Sequence, residues 1–322
     1  MTLVKAINNA LDIELQENKN VVIYGEDAGY EGGVFRVTQG LQSKHGAERV
    51  FDAPLAESGI VGTAVGMAVA GMKPVIEMQF SGFAYPGFNQ MISHVSRMRN
   101  RSRGKYSSSM VIRMPYGGGI KALEHHSESM EALYAHIPGL KVVIPSTPHD
   151  AKGLLISAIE SEDPVIYMEP KRIYRAVKQE VSEEKFKVDI GRANVVQQGS
   201  DITVISYGAM MRDTQKAIAM AKKAGISVEL IDLRTVYPID KETIANSIKK
   251  TGRVMSVTEA PTSFGPGGEL MAIANEEAFL HLEAPPKRVS GFDTIFPLPQ
   301  GEHHYLPSPE KIYYEIERTV KF

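Results

Sequence analysis

Short apolar runs alternate with segments of helical periodicity along the chain, and this alternation constrains the fold more than any other feature. The runs are strand-sized, rich in β-branched residues and bounded by glycine or proline; the first five occupy residues 21–24, 74–78, 110–113, 141–144 and 164–167. The segments between them predict helices at residues 2–17, 58–71, 86–101, 127–136 and 148–160. Continuous apolar strands separated by helices are typical of a parallel sheet covered on both faces. The sequence therefore predicts an α/β fold.

The alternation weakens between residues 170 and 200, where Lys, Glu and Gln are frequent. It then resumes with predicted strands at 201–207, 227–233 and 253–259 and predicted helices at 210–224, 240–250 and 308–320. We interpret the polar stretch as a linker between two doubly wound domains. The predicted first domain covers residues 1–185, with a linker to about residue 200, and the smaller second domain covers residues 200–322.

Composition excludes several classes of function. The 322 residues include no cysteine, which excludes disulfides, thiolate nucleophiles, iron–sulfur clusters and cysteine-ligated zinc on this chain. A formal net charge of −2 gives no indication of nucleic acid or an anionic membrane as partner. The most apolar stretch, residues 58–72, is short for a membrane span and ends at Lys73-Pro74, so we predict a buried helix there. With no secretory or transit signal, we expect a cytoplasmic protein.

Glu57 stands at the start of this apolar helix, and Gly59, Gly62 and Gly66 follow on one helical face. Each glycine inside a helix costs about 0.5–1 kcal/mol relative to alanine, so the face needs a compensating close contact with another helix or a cofactor. We expect Glu57 to be buried against this face. A carboxylate near a helix N-terminus also has a purely structural role, because it complements the helix dipole by about 0.3–1 kcal/mol. These residues alone do not decide between a contact with a cofactor and a purely structural role for Glu57.

A second polar segment combines the triple glycine 117–119 with His125 and His126, after the predicted strand 110–113. Loops at the carboxyl ends of parallel strands commonly bind ligands in α/β proteins. The glycines match neither the P-loop nor the dinucleotide fingerprint, and no third ligand at a recognisable spacing supports a zinc site. A single histidine acting as proton donor or hydrogen-bond partner is the functional interpretation that we favour.

A basic cluster lies at the C-terminal end of the predicted helix 86–101 and just beyond it. It consists of Arg97, Arg99, Arg101, Arg103 and Lys105. Alternate spacing scatters these side chains around a helix instead of lining one face. We therefore predict a solvated or subunit-facing helix end in preference to a nucleic-acid site.

Several blocks of sequence, taken in order, resemble one family. They are residues 25–27 (GED), 53–59 (APLAESG), 77–80 (EMQF), 126–127 (HS), 138–146 (PGLKVVIPS), 232–235 (DLRT) and 238–240 (PID). The blocks are similar to those of the beta subunits of the thiamine-diphosphate-dependent pyruvate and branched-chain 2-oxo acid dehydrogenases, which are transketolase-like proteins. One block alone would be weak, but together they extend over essentially the whole chain with family-like spacing and are highly specific.

The resemblance implies a pyrimidine-binding domain followed by a transketolase C-terminal-like domain. It also implies an α2β2 heterotetramer with an alpha subunit, with thiamine diphosphate between an alpha and a beta chain. A dihydrolipoamide acyltransferase core is implied as a further partner. The implied activity is decarboxylation of a 2-oxo acid and transfer of the acyl group to a lipoyl domain.

The same resemblance implies roles for individual residues near the cofactor. Glu57 would hydrogen-bond the ring nitrogen of the aminopyrimidine, and Glu26 resembles the second carboxylate near that ring. Leu55 would offer its backbone carbonyl to the exocyclic amino group. Phe83 would pack on the ring, and Gln79 would line its edge.

Further implied roles concern acyl transfer and bound cations. His126 resembles the beta-subunit histidine of the acyl-transfer step, and backbone carbonyls between Ala158 and Asp163 resemble a structural monovalent-cation site, such as K⁺, of some relatives. Thiamine enzymes hold diphosphate and Mg²⁺ with a Gly-Asp-Gly element followed by Asn-Asn. This chain has no Gly-Asp-Gly, and its only Asn-Asn, Asn8-Asn9, lies in the first predicted helix. An alpha subunit is therefore expected to hold both groups, unlike in self-sufficient transketolases.

Three alternatives stay open at this point. An acetoin dehydrogenase beta subunit shares the family pattern. A ferredoxin-linked 2-oxo acid oxidoreductase also uses thiamine in several chains, although a cysteine-free chain carries no cluster itself. A non-catalytic scaffold that docks the acyltransferase core is disfavoured by Glu57 and His126 at the matching positions. The sequence does not distinguish pyruvate from branched-chain substrates.

Overall fold

The computed structural model describes residues 1–322, and the chain divides into two compact units. The first unit consists of Met1–Tyr116 and Leu133–Ile190, and the second of Gly117–Ala132 and Gly191–Phe322. The segment with the triple glycine and the two histidines therefore clusters with the C-terminal part of the chain. No helix has both the length and the apolar character needed to cross a membrane.

Strands and helices alternate along both units. The strands are β1 (Val21–Gly25), β2 (Val50–Asp52), β3 (Lys73–Glu77), β4 (Val111–Tyr116), β5 (Lys141–Val143), β6 (Val165–Pro170), β7 (Asn194–Gln197), β8 (Ile202–Ser206), β9 (Val228–Asp232), β10 (Thr235–Tyr237), β11 (Val254–Pro261) and β12 (Lys287–Gly291). The α-helices are α1 (Leu3–Glu17), α2 (Leu41–His45), α3 (Glu57–Val69), α4 (Tyr85–Ser93), α5 (Met98–Arg101), α6 (Glu131–Ala135), α7 (Pro148–Glu160), α8 (Met210–Lys223), α9 (Lys241–Thr251), α10 (Pro266–Ala278), α11 (Glu302–Tyr305) and α12 (Pro309–Val320). Short 3-10 helices cover Ser81–Ala84, Val95–Arg97, Glu124–His126, Lys171–Ile173 and Phe279–His281.

The sheet of the first unit confirms the predicted parallel arrangement. Strands β1 to β6 lie in the order β5-β6-β4-β3-β1-β2, and every neighbouring pair is parallel. Strands β1, β4 and β6 are buried along their whole length, as expected for a sheet covered on both faces. Gly25 permits the tight pairing at the end of β1, because a Cβ atom there would lie 2.3 Å from the carbonyl oxygen of Glu77.

The two long helices α1 and α7 pack against each other in the first unit. The sequence predicts both of them well because each carries its own start signal. Thr2 caps α1 through the amide of Lys5, and Thr147 caps α7 through the amide of Asp150, with Pro148 at the first helical position. The buried residues of α1 and the apolar residues of α7 recur at helical spacing, so caps and periodicity agree.

Two predicted helices of the first domain are shorter than expected. The helix predicted at 86–101 ends at Ser93, because the side chains of Arg97 and Arg101 donate to the carbonyls of Ile92 and Ser93 at its C-terminal end. The helix predicted at 127–136 is reduced to the five residues of α6. All five members of the basic cluster are exposed, which agrees with the predicted solvated helix end.

The second unit contains a five-stranded sheet in the order β12-β11-β8-β9-β7. Its pairs are parallel except β7 with β9, which is antiparallel. The interpretation of residues 185–200 as plain linker is wrong for Asn194–Gln197, which form the edge strand β7. Because an edge strand leaves much of its surface in water, polar residues are tolerated there and hide the strand in the sequence. Helices α8 and α12 pack over this sheet with a core that includes Val204, Ile218, Leu230 and Ile316.

Candidate active site

Glu26 follows the last residue of β1, at the carboxyl end of the parallel sheet where α/β proteins bind ligands. Only 5 % of the residue is exposed, and neither carboxylate oxygen has a hydrogen-bond partner in the protein. Burial raises the pKa of Glu26, and the nearby charges of Glu57 and Asp27 raise it further. The structure therefore holds a carboxyl group that takes up a proton more readily than an ordinary glutamate.

Glu57 is the first residue of α3, as the sequence predicts, and its charge is close enough to affect Glu26. Our expectation that Glu57 is buried is not met in this chain, where the residue is only partly buried. The reason is local: Pro54, Leu55 and Ala56, which precede it, are themselves exposed. Glu26 and Glu57 thus lie near each other. Glu26 is buried, and Glu57 is only partly buried.

Two further residues with an expected role at the cofactor, Leu55 and Gln79, lie near this pair of carboxylates. The side-chain amide of Gln79 donates to Asp27 at 2.8 Å, so Gln79 lies against the residue that follows Glu26. Leu55 is 79 % exposed in the loop before α3. Its backbone carbonyl, the atom with an expected role, therefore lies in an accessible loop.

Phe83 lies on the 3-10 helix Ser81–Ala84, after the carboxyl end of β3. Its ring packs edge-on against Phe80 with centroids 5.5 Å apart, and Phe80 packs in the same way against Phe35. Such edge-to-face pairs hold aromatic rings in fixed orientations. Phe83 is partly exposed, so this aromatic row keeps some accessible surface.

The three glycines of α3 differ in their contacts: a Cβ atom at Gly62 would lie 3.8 Å from the side chain of Gln90 on α4. A Cβ atom at Gly66 would meet nothing within 4 Å, and Gly59 is exposed. The close contact between α3 and α4 is provided instead by Gly87, whose Cβ atom would lie 3.0 Å from Val61 and 3.1 Å from the carbonyl of Glu57. A compensating contact with another helix is thus not found within this chain for Gly59 and Gly66.

A buried ion cluster behind the sheet end escaped our sequence analysis. Arg113 of β4 donates to Glu77 at 2.7 Å and to Glu169 at 2.7 and 3.1 Å, and all three residues are at most 3 % exposed. Tyr174 also donates to Glu169. Burial alone would lower the pKa of Arg113, but Glu169 and Glu77 hold it above its ordinary value. The cluster fixes the ends of β3, β4 and β6, which lead into the candidate site.

His126 lies in the second unit, on the 3-10 turn Glu124–His126, and is partly buried, whereas His125 is exposed. The segment before this turn is fastened by two carboxylates. Glu259 accepts from the amide of Gly118 at 2.9 Å, and Glu302 accepts from the amide of Lys121 at 3.1 Å. No group of three or more His, Asp or Glu side chains suited to a metal ion lies together in the structure.

Glu131 follows the histidine turn and is completely buried. One of its oxygens accepts a hydrogen bond of 2.7 Å from the hydroxyl of Tyr207. Burial raises the pKa of Glu131 to about 7, against 4.5 in water, and the charge of Glu259 contributes in the same direction. This group therefore changes charge near neutral pH.

We expect Glu131→Gln to flatten the dependence of stability on pH. In the wild type the unfolded chain loses this proton near pH 4.5 and the folded chain near pH 7, so stability should fall as pH rises between these values. The difference between these two pKa values corresponds to a change of at most about 3 kcal/mol in the free energy of unfolding. Glutamine keeps an oxygen for Tyr207 but does not ionise. Urea unfolding from pH 4 to pH 8 measures the effect, and parallel profiles for the two proteins would contradict it.

The carbonyls expected to face a monovalent cation are occupied by a side chain of the protein itself. The ammonium group of Lys73 lies 2.9 Å from the carbonyl oxygen of Ile159, 3.2 Å from that of Glu160 and 3.4 Å from that of Ser161. These oxygens lie within the segment from Ala158 to Asp163 that the sequence suggested as a K⁺ site. The residues present therefore do not fit a bound cation at this position.

Two family models match the chain: Transketolase, pyrimidine binding domain over residues 1–177, and Transketolase, C-terminal domain over residues 191–312. The chain is also 57 % identical to the pyruvate dehydrogenase E1 component subunit beta of Acholeplasma laidlawii, over 100 % of this chain and 98 % of that protein. The chain belongs to the beta-subunit family of the 2-oxo acid dehydrogenases.

Other comparisons agree with membership of the beta-subunit family. Proteins of the same description from Mycoplasma genitalium and Staphylococcus epidermidis are 50 % and 51 % identical, over 99 % and 100 % of this chain and 98 % and 99 % of theirs. A solved structure described as a split gene transketolase, inactive beta4 tetramer, has a TM-score of 0.82 at 22 % identity, covering 100 % of this chain and 98 % of that chain. At this identity the structural likeness shows the fold alone, and it confirms the predicted fold class.

Proposed function

We propose that this chain is the catalytic beta subunit of a pyruvate-decarboxylating 2-oxo acid dehydrogenase, active together with an alpha-type chain. The observation that carries the proposal is Glu26, a buried carboxylate whose oxygens have no hydrogen-bond partner in the protein. Such a group is costly unless a bound molecule donates to it. The aminopyrimidine of thiamine diphosphate carries donors of that kind, so the residues present fit this cofactor.

The proposed contacts with the aminopyrimidine all come from the first unit. Glu57 would hydrogen-bond the ring nitrogen, with Glu26 as the second carboxylate beside it. The backbone carbonyl of Leu55 would accept from the exocyclic amino group, and its exposed loop gives it access. Phe83 would pack on the ring, supported by its edge-on contact with Phe80, and Gln79 would line the ring edge.

When bound, thiamine diphosphate supplies a carbon nucleophile for the 2-oxo carbonyl and an electron sink for the bond that breaks as carbon dioxide leaves. The task of Glu57 is to hold a proton between its carboxyl oxygen and the ring nitrogen. Glu26, with its raised pKa, keeps its own proton to higher pH than an ordinary glutamate.

The diphosphate and Mg²⁺ are assigned to the partner, because no Gly-Asp-Gly element occurs in this chain. The exposed face of α3 supports a second chain close to Glu57. Gly59, Thr63, Gly66 and Ala70 are exposed and succeed one another along one side of the helix. Small side chains let another backbone approach closely, and such a contact would compensate for glycine inside a helix. We propose an α2β2 heterotetramer on this basis.

Pyruvate is the proposed substrate because the relatives at 50–57 % identity carry pyruvate dehydrogenase in their descriptions. We propose that the acyl group then passes to a lipoyl arm on a dihydrolipoamide acyltransferase core, with His126 acting at that step as proton donor or hydrogen-bond partner. The two amide anchors at Gly118 and Lys121 would hold the histidine turn in place for this purpose.

The decisive experiment measures carbon dioxide release from a panel of 2-oxo acids and, in a separate assay, the consumption of acetoin, with this chain and its alpha-type partner purified together and separately. Activity in the mixture alone, dependent on thiamine diphosphate and Mg²⁺ and highest with pyruvate, would support the proposal. A preference for acetoin would favour an acetoin dehydrogenase. Assembly without any turnover would favour the docking scaffold, and full activity from this chain alone would refute the shared site.

We expect His126→Ala to separate the two half-reactions. Decarboxylation with an artificial electron acceptor should change little, whereas transfer of the acyl group to a free lipoyl domain should fall by about 10²-fold, a usual contribution of a positioned acid–base group. The matched control is His125→Ala, because His125 is the exposed neighbour on the same turn. Equal losses in both half-reactions, or equal effects of the two substitutions, would contradict a specific role for His126.

A further inference from the structure

The C-terminal end of α7 presents a cluster of backbone carbonyls at the surface of the first unit. The last carbonyls of any helix have no partner within the helix, and they carry the negative end of its dipole. In this chain the carbonyls of Ile159, Glu160 and Ser161 converge on one point, and that point is the ammonium group of Lys73. The hydroxyl of Ser109 completes the shell, at 3.2 Å from the same nitrogen.

We propose that Lys73 is a built-in replacement for a structural monovalent cation, so that this chain folds and assembles without bound K⁺. Three carbonyls and a hydroxyl around one positive charge form the type of oxygen shell that binds K⁺, since carbonyl oxygens can replace its hydration shell. An ammonium group uses the same acceptors and is delivered covalently from the first residue of β3. A free cation would have to displace it from every one of these oxygens.

The surroundings of Lys73 support a permanent structural role. Burial lowers the pKa of Lys73, and the acidic groups Glu14, Glu160 and Glu162 oppose this shift only in part. Ser109 also donates to the carbonyl of Ser161 at 2.6 Å, which ties the residue before β4 to the same turn. The lysine thus joins the start of β3, the approach to β4 and the end of α7 in one cluster.

A neighbouring lysine provides a matched comparison. Lys141, at the start of β5, donates to the hydroxyl of Ser161 at 3.0 Å and lies 3.8 Å from the carboxylate of Asp163. It contacts the same turn, yet it reaches side chains rather than the converging carbonyls. Loss of Lys141 therefore removes a positive charge from the region and leaves the carbonyl shell with its central ammonium.

The test compares thermal unfolding midpoints of the full chain in potassium chloride and in choline chloride at equal ionic strength. We expect the wild type to show the same midpoint in both salts. Lys73→Met should lower the midpoint by roughly 4–8 °C in choline, since it leaves several carbonyls without a charged donor. Potassium should restore much of this loss in a saturable manner, because the substitution opens the shell. Lys141→Met should show a smaller loss and no potassium-specific recovery.

Four results would overturn the proposal. A saturable, potassium-specific stabilisation of the wild type would mean that the cation binds with Lys73 in place. A Lys73→Met variant as stable as the wild type in choline would mean that the lysine does not complete the shell, and a variant that potassium fails to restore would make it an ordinary helix-capping residue. A thallium(I) soak of wild-type crystals does not depend on whether a variant folds. An anomalous peak among these carbonyls would show that a cation binds there and would refute the proposal that Lys73 takes its place.

Discussion

Glu57→Gln should lower decarboxylation by the reconstituted enzyme by about 10³-fold, within the usual range for loss of a positioned acid–base group. Glutamine has nearly the same shape and can still contact a ring nitrogen, but it has no acidic proton to share with it. The site depends on this property, because Glu57 is the carboxyl group proposed to contact the ring nitrogen, whereas Glu26 is the second carboxylate beside it. We expect the loss mainly in kcat, measured as carbon dioxide release at saturating thiamine diphosphate.

The matched control for this prediction is Glu180→Gln, which removes one carboxylate from an exposed position of the same unit. It should leave kcat unchanged. Circular dichroism and the thermal midpoint of each variant check that the fold is kept, which is expected because Glu57 is only partly buried and opens α3 at its first residue. A Glu57→Gln enzyme that keeps more than a tenth of the activity would rule out the proposed proton sharing.

The fold was predictable where each element carries its own signals. Helices α1 and α7 have a capping residue, an apolar periodicity and a clear end, and the central strands are continuous apolar runs. The strands that the sequence hid include β2, β7 and β12, which all lie at an edge of a sheet. An edge strand pairs on one side only and keeps polar residues in water, so its sequence resembles a loop.

In the candidate site, too, the residues with a local sequence signal were predictable, whereas contacts between residues far apart in the sequence were not. Glu57 was conspicuous because it opens an apolar helix, and the family blocks named Glu26 and His126. The two carboxylates that fasten the histidine segment, Glu259 and Glu302, are far from it in sequence, and nothing local predicts that contact. The buried cluster around Arg113 did leave a signal that we did not use: Glu77 and Arg113 lie within two predicted apolar strands, and Glu169 closely follows a third.

Arg113→Met should lower the free energy of unfolding by about 3–5 kcal/mol, the usual cost of removing one partner from a buried ion cluster. Arg113 pairs directly with Glu77 in the register of β3 and β4, and it reaches Glu169 on β6 from the other side. Methionine fills a similar volume but leaves both carboxylates buried without their cation. Each must then stay charged at a high cost or take up a proton, so the loss should shrink at low pH. Urea unfolding at pH 7.5 and pH 5 measures both effects.

The chain offers a close control for this substitution, since Arg99 also contacts two carboxylates, those of Asp163 at 2.6 Å and Glu162 at 3.4 Å. The side chain of Arg99 is 44 % exposed, whereas that of Arg113 is 1 % exposed. The two arginines therefore differ in their exposure to water and not in the number of carboxylates that they contact. Arg99→Met should cost no more than about 1 kcal/mol. The triple variant Arg113→Met, Glu77→Gln, Glu169→Gln should recover much of the loss, because no unpaired charge remains inside. Equal losses for Arg99→Met and Arg113→Met would show that burial does not determine the strength of these ion pairs.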